Sequence, residues 1–400
     1  MRRSLRLPLV LVATLVVAEA GVLILRPEPP PPVPAVDPQS YFSSAHIAAA
    51  EEYRSSQLAL YGLRLVVEIG VLAALAARLP RRLSRPRRHP VLFGAGAGAV
   101  ISLVLGLATQ PVRIVSRAEA REAGLVTQDW LGYAFDVVRS EAIGALIAAA
   151  GAALLVLALR RLGRRWWVAG AVAVVGYGAA LTFLAPVVIE PLFNDFEPLP
   201  AGTLRSEVLG LADRADVDVG EVYVVDASRR TTSANAYVAG LGNTKRVVLY
   251  DTLLRDFRPD EMRLIVAHEP GHVRHGDLSN GLLYLALVAP VGMLAAALLA
   301  ERLAPRGAMR GPAAVPAVAL AAVLVSTPIA MISNQLSRAV ERRADAYSLE
   351  LTGDPGSLIA MQRRLSTRNL SDPRPPAWVT FLLSTHPPAA ERIARAEAAR

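Results

Sequence analysis

The sequence contains one short segment whose residues could perform metal chemistry, the run His268-Glu269-Pro270-Gly271-His272. On a helix, residues four positions apart lie on one face, so the two histidines of this H-E-x-x-H pattern can bind one metal ion. Glu269 would then lie beside the metal, where its carboxylate can accept a proton from a bound water. Imidazole nitrogens suit zinc, but two of them leave the site in need of a third protein ligand.

A candidate for the third ligand lies in the C-terminal region, where Glu341 and Asp345 are also four residues apart. On a helix, Glu341 could bind the metal while Asp345 accepts the second N–H of a ligating histidine. By itself this spacing is a weak signal, because an acidic pair usually marks a solvated helix face. Two apolar spans separate His272 from Glu341, and an even number of crossings returns the chain to the same side of a membrane.

The H-E-x-x-H pattern is short enough to arise by chance, with both histidines satisfied by ordinary hydrogen bonds. Metal binding is favoured because three of the six histidines fall between residues 268 and 275. The motif also follows a polar region and directly precedes an apolar span. His275 is expected to be a solvated residue on the same helix and not a ligand.

The composition is that of a membrane protein. Of the 400 residues, 53% are hydrophobic, and the formal net charge is +9. The chain has no cysteine, which excludes disulfides, thiol nucleophiles and thiolate metal ligands. The arginines cluster between apolar spans, as the positive-inside effect predicts. Since no basic stripe or aromatic platform accompanies the charge, nucleic acid is not an expected partner.

About seven apolar segments are long enough to cross a membrane. The first is interpreted as an uncleaved anchor, although Ala18-Glu19-Ala20 also has the small-x-small form of a signal-peptide cleavage site. The spans are predicted at about 7–25, 57–77, 91–111, 142–159, from Trp167 to 189, 282–299 and 313–332.

A region of soluble composition separates the fifth span from the sixth. Within it, 204–215 has helical periodicity, 221–225 and 246–250 are predicted strands, and 235–242 is predicted as a strand that enters a glycine-rich turn. The helix that carries His268 is predicted to begin near Pro259.

The predicted fold is therefore mainly α: a multi-span membrane helical bundle with an inserted α+β domain that carries the H-E-x-x-H helix. Four regions follow from this pattern. They are a membrane domain of five spans (1–189), the soluble domain with the H-E-x-x-H helix (190–280), two further spans (281–332) and a C-terminal helical tail that completes the site (333–400).

The second span contains two charged residues, Arg64 and Glu68, which can pair on one helix face. Charges inside a membrane are costly and usually face a bundle interior or a wet cavity. The sequence leaves two interpretations open for this pair, a structural ion pair near the interface or a role in lining a cavity.

Several separate blocks of the sequence, in the right order, resemble the membrane-embedded zinc metallopeptidases of the M48 type. The resemblance covers most of the chain and is closest to the CAAX prenyl protease 1 (Ste24-like) branch, whose seven spans and inserted domain it also fits. The blocks are PLFNDFEPLP (191–200), SANAYVAGLGNTKRVVLYDTLL (233–254), AHEPGHVRHGD (267–277), NQLSRAVERRADAYSLEL (334–351) and STHPPAAERI (384–393).

The resemblance implies that the inserted α+β domain is a zincin-like metallopeptidase domain, and it also implies a set of site residues. One zinc ion per chain would be held by His268, His272 and Glu341, with Glu269 as the general base and Asp345 orienting a ligand. His386 and Arg392 match residues that steady the oxyanion or shape the cleft. The substrate backbone would be held by the strand that contains Asn235, Ala236 and Tyr237.

The expected function is an integral-membrane zinc endopeptidase that hydrolyses membrane or membrane-proximal proteins with a metal-activated water. Pro270 departs from the family, which has a bulky aliphatic residue there. A proline inside a helix lacks an N–H and clashes with the carbonyl four residues back, here that of Val266, at a cost of about 3 kcal/mol. A kink could separate the histidines, so the alternative is a catalytically silent scaffold or regulator that retains the peptidase fold.

The expected location is the cell membrane, as a multi-pass protein of a bacterial plasma membrane, because the composition is rich in alanine and arginine. The expected partners are a peptide or protein substrate and membrane lipid, and the sequence does not fix the oligomeric state. The arginine-rich ends place the soluble domain outside the cytoplasm, whereas in eukaryotic members the site is taken to open toward the cytosol. The sequence leaves both orientations open.

Overall fold

The computed structural model describes residues 6–79, 88–239 and 245–400, most of them in helices. Part of the basic loop predicted between residues 78 and 88, and the glycine-rich turn predicted after residue 239, lie outside these ranges. The helices are α1 (Arg6–Leu25), α2 (Ser44–Arg78), α3 (Pro90–Glu122), α4 (Trp130–Leu162), α5 (Trp166–Leu184), α6 (Thr203–Arg214), α7 (Asp251–Asp256), α8 (Pro259–Arg274), α9 (Asp277–Leu303), α10 (Val315–Thr352), α11 (Pro355–Arg368), α12 (Ala377–Leu383) and α13 (Ala389–Ala398).

The membrane part is a bundle of about seven helices, which confirms the predicted fold class. Six helical stretches of the described chain are long and apolar enough to cross a membrane. The longest, Trp130–Leu192, has 63 residues, about three times what one crossing needs. It contains both α4 and α5, which a short turn at Gly163–Arg165 separates. Gly163 has a positive φ of 54°, a conformation that suits glycine.

Several helices extend beyond the apolar spans that the sequence predicts. Helix α3 continues through Pro111 to Glu122, and α4 begins at Trp130, so most of the chain between the third and fourth predicted spans is helical. Helix α10 crosses the predicted boundary between residues 332 and 333. The end of an apolar stretch marks where a helix leaves the bilayer, but backbone hydrogen bonds carry the helix on into water.

The arginine-rich ends of the helices gather at the end of the bundle opposite to the soluble domain. There Arg164 forms an ion pair with Glu301 at the far end of α9, with 3.2 Å between Nη2 and Oε2. The adjoining core contains Trp166, Ala300 and Ala314, all buried. This placement follows from the alternating direction of the seven helices.

The inserted domain contains a four-stranded sheet made of β1 (Phe196–Pro198), β2 (Glu221–Val225), β3 (Ala236–Ala239) and β4 (Arg246–Tyr250). The order is β1-β2-β4-β3, with β2 and β4 parallel and the two outer strands antiparallel to their neighbours. Val222, Val247 and Leu249 are buried in one core with Leu264 and Val266 of α8. Burial of this apolar face fixes α8 against the sheet and leaves β3 as an edge strand.

Candidate metal centre

Helix α8 carries the H-E-x-x-H motif and begins with a capping arrangement. Pro259 occupies a position in the first turn, and the backbone N–H of Arg258 donates to Glu261 Oε2 at 3.0 Å. The helix is continuous through Pro270 to Arg274. The expected kink does not separate the two histidines, whose Nε2 atoms lie 3.1 Å apart.

The third candidate ligand comes from α10, which packs against α8. Gly271 allows this close approach, because a Cβ there would lie 3.1 Å from Tyr347 Cδ1. Glu341 then lies between the histidines, with Oε2 3.3 Å from His268 Nε2 and Oε1 3.7 Å from His272 Nε2. One donor atom from each of these three residues lies within 4.8 Å of the others.

The donor set fits a metal ion. Glu341 Oε2 is buried and has no hydrogen-bond partner among the described residues. A buried carboxylate oxygen without a partner is costly, and a cation would satisfy it. Burial would lower the pKa of His268, but Asp345 and Glu341 outweigh burial and raise this pKa to about 10. The negative field that favours a proton on His268 also favours a bound cation.

Asp345 and Arg392 lie behind His268 on the side away from Glu341. Asp345 Oδ1 lies 3.1 Å from His268 Nδ1, which suits an Nδ1–H tautomer with Nε2 free to bind metal. The guanidinium of Arg392 is buried and donates to both carboxylate oxygens of Asp345, with Nε 2.7 Å from Oδ2. Arg392, predicted to contact substrate, therefore fixes Asp345 in this structure.

Sequence reasoning missed Asp277, which contacts Nδ1 of His272 as Asp345 contacts Nδ1 of His268. Its Oδ2 lies 2.9 Å from His272 Nδ1, and its other oxygen pairs with Arg343 of α10. Asp277 begins α9 directly after Gly276, whose φ of 65° turns the chain between the two helices. An aspartate placed at a turn five residues after the motif was the available signal.

Glu269 lies between the histidines and the edge of the sheet. Its carboxylate accepts a hydrogen bond from the backbone N–H of Val238 in β3. Burial raises the pKa of Glu269, while His268 and His272 oppose the rise. A carboxylate with a raised pKa is a better proton acceptor near neutral pH.

The two remaining histidines of this region have different surroundings. His386 is at the open side of the site, with its side chain 62% exposed and its Nε2 3.4 Å from Glu341 Oε1. His275 was expected to be solvated, and this is wrong. It is half-buried, because its Nδ1 bonds to the Gly271 carbonyl at 2.7 Å and its ring meets Tyr347 edge to face.

The strand predicted to hold substrate lies beside Glu269. Asn235 is exposed just before β3, and Ala236 is buried at its start. The hydroxyl of Tyr237 donates to Glu190 Oε2 at 2.6 Å, at the end of the fifth membrane helix. Burial and this hydrogen bond raise the pKa of Tyr237. The contact joins the strand to the membrane bundle.

A membrane helical bundle with an inserted H-E-x-x-H domain and a distant glutamate defines a membrane metallopeptidase. The sequence profile of peptidase family M48 matches residues 198–400. The chain belongs to this family.

Similar proteins support the assignment. The chain is 29% identical over 373 residues to the uncharacterized metalloprotease YhfN of Bacillus subtilis, and the match covers 90% of this chain and 88% of that protein. It is 31% identical over 218 residues to a CAAX prenyl protease 1 homolog of Oryza sativa subsp. japonica. That match covers 53% of this chain and about half (51%) of that relative. The crystal structure of S. mikatae Ste24p shares the fold, with a TM-score of 0.73, 20% identity and 98% of each chain covered.

We predict that Asp277→Asn weakens metal binding about 10- to 100-fold, because an amide holds the His272 tautomer less well than a carboxylate. Metal affinity of the purified protein, titrated against a chelator of known affinity, measures this change. Asp218→Asn is the matched control, since Asp218 is exposed in the loop before β2. Equal affinities for the Asp277 variant and the control would contradict the assigned contact.

Proposed function

We propose that the protein is a zinc-dependent endopeptidase of the membrane that cleaves membrane or membrane-proximal proteins. The observation that carries the proposal is the convergence of His268 Nε2, His272 Nε2 and a Glu341 oxygen beside the buried carboxylate of Glu269. Two imidazoles and one carboxylate form a donor set that suits catalytic zinc and leaves a position for water.

The proposed mechanism assigns one task to each residue. Zinc, when bound, lowers the pKa of a water toward about 7 and polarises the scissile carbonyl. Glu269 accepts a proton from the attacking water and later delivers it to the leaving amine. His386, at the open side of the site, donates a hydrogen bond to the oxyanion of the tetrahedral intermediate.

The outer edge of β3 would hold the substrate in an extended form. The N–H of Tyr250 in β4 donates to the Asn235 carbonyl. In an antiparallel pair every second residue bonds to the neighbouring strand, so in this register residues 237 and 239 also bond to β4. The backbone groups of Ala236 and Val238 therefore point outward, on the side where Glu269 lies. A substrate strand added at this edge would pass in front of the metal ligands.

The substrate class follows from where the site lies. Tyr237 of the edge strand is bonded to Glu190, which directly follows the fifth membrane helix, and α9 enters the membrane immediately after the motif. We propose the plasma membrane of a bacterium as the location, because the composition is rich in alanine and arginine and one relative comes from the bacterium B. subtilis. Bacteria are not expected to supply prenylated substrates, so turnover of membrane proteins is the proposed role.

The alternative function is a silent scaffold, which rests on Pro270. Against it stand a continuous α8 and Nε2 atoms that remain 3.1 Å apart. A scaffold would be folded in the membrane without hydrolysing peptides, and Pro270→Leu would then restore metal binding that the natural chain lacks.

We predict that Glu269→Gln lowers hydrolysis by about 100- to 10,000-fold while metal content is unchanged, because the amide cannot accept the proton of water. Quenched-fluorescence peptides and a purified single-span membrane protein serve as substrates. Glu207→Gln, an exposed glutamate of α6, is the control. Full activity in the Glu269 variant would refute the mechanism.

We predict that Ala236→Pro lowers kcat/KM for peptides about 3- to 10-fold, mainly through KM, because it removes one outward N–H from the edge strand. The bonds from β3 to β4 are kept, and proline is tolerated at a strand edge. Ala236→Gly keeps the N–H and serves as the control. If both variants show the same KM, substrate does not pair with this edge.

A further inference from the structure

A cavity of about 420 Å³ lies between α2, α3 and α4, and no residue of the candidate metal centre lines it. Three of the described residues that line the cavity are arginines, and no acidic residue is among those described lining residues. The arginines are Arg64 of α2 and Arg113 and Arg117 of α3. Gln57, Tyr61, Ser116 and Tyr133 supply further polar groups to the walls. The lining of this open cavity therefore carries positive charge.

Arg64 is one of the charged residues that the sequence places inside a predicted span. It does not pair with Glu68, because no carboxylate lies within ion-pair distance of Arg64 in the described part of the chain. Its guanidinium lies 5.8 Å from the centre of the Tyr61 ring, one turn toward the start of α2. Long side chains on a helix lean toward its N-terminus, and this lean carries Arg64 away from Glu68 and into the cavity wall.

The other two arginines are held at fixed positions. Arg113 Nη1 lies 2.9 Å from Glu141 Oε1, so one negative charge faces this arginine from α4. Arg117 donates from Nη2 to the Gln128 carbonyl at 2.7 Å, and its guanidinium stacks 4.3 Å from the centre of the Tyr133 ring. Arg117 Nε is buried and has no hydrogen-bond partner among the described residues. A buried N–H of a cation without an acceptor is costly, and an acceptor supplied by a ligand would satisfy it.

The cavity lies where the apolar stretches of the three helices end, on the side of the soluble domain. In α2 the apolar stretch follows Arg64, in α3 it precedes Arg113, and in α4 it begins after Glu141. Trp130 and Tyr133, which flank Arg117, have the residue types that mark the membrane interface. The three arginines are therefore near the ends of the predicted apolar stretches, where lipid headgroups are expected.

We propose that this cavity binds the phosphate headgroup of an anionic phospholipid, with its acyl chains along the apolar surfaces of α2 and α3. Guanidinium groups match phosphate oxygens in geometry and charge. Basic pockets between membrane helices at the interface are suited to such headgroups. The exposed Leu63 and Val66 on α2 and Leu107 on α3 provide apolar surface for the acyl chains.

The test is native mass spectrometry of the full chain in detergent, titrated with short-chain phosphatidylglycerol, short-chain phosphatidylcholine or inorganic phosphate. Arg64→Gln is the main variant, because loss of an arginine without a carboxylate partner leaves no acid unpaired. Arg64→Lys keeps the positive charge and removes the planar guanidinium group with its paired N–H donors. Arg160→Gln is the matched control, since Arg160 is exposed at the opposite end of α4. Equal thermal unfolding of all variants shows that each is folded.

The proposal predicts a first phosphatidylglycerol adduct that forms in preference to phosphatidylcholine. Arg64→Gln weakens that adduct about fivefold or more, Arg64→Lys weakens it less, and Arg160→Gln leaves it unchanged. Equal weakening by Arg64→Gln and Arg160→Gln would overturn the proposal, because it would show attraction of lipid to net charge alone. Binding of inorganic phosphate without any preference for phosphatidylglycerol over phosphatidylcholine would also overturn it.

Discussion

The contact between α8 and α10 is the constraint on which the candidate site depends. These helices are far apart in sequence, and two membrane crossings lie between the motif and Glu341. The close approach at Gly271 brings the carboxylate of Glu341 to within 3.3 Å of His268 Nε2. A buried carboxylate and two imidazoles held so close fit a bound cation, and the rest of the domain holds them in this arrangement.

Two similar chains of polar contacts support the histidines. In each chain a histidine Nδ1 faces an aspartate, and an arginine from another element pairs with that aspartate: His268 with Asp345 and Arg392, His272 with Asp277 and Arg343. Such buried ion pairs add little net stability, because desolvation offsets their attraction. Their effect is to fix the tautomer and orientation of each ring, which prepares the two Nε2 atoms for one metal ion.

The sequence predicted the parts of the fold that depend on local pattern. The strands at 221–225 and 246–250 and the start of α8 at Pro259 have the bounds observed. The ends of α3, α4 and α10 were predicted less well, because hydropathy marks the bilayer boundary and not the end of a helix. The place of Arg392 behind Asp345 depends on a tertiary contact, which no spacing in the sequence reveals, whereas Asp277 contacts His272 only five residues away in the chain and could have been recognised. The pairing of Arg64 with Glu68 that the sequence suggested is not observed among the described residues, because the contacts of Arg64 depend on the direction in which its side chain leans.

Pro270 had the least predictable effect. Local propensity disfavours proline at this point of a helix. The residue is buried, and the helix continues through it, held by the sheet on one side and α10 on the other. Tertiary packing here outweighs the local preference, as it commonly does for helices in a folded domain.

The most direct test is the metal content of the purified full-length protein, measured by elemental mass spectrometry beside His268→Ala and His275→Ala. We expect about one zinc per chain in the natural protein, loss of that zinc in His268→Ala and its retention in His275→Ala. The two variants remove the same side chain at positions about two helical turns apart, so the comparison isolates the proposed ligand. Well-folded natural protein without zinc, or equal zinc in both variants, would contradict the account.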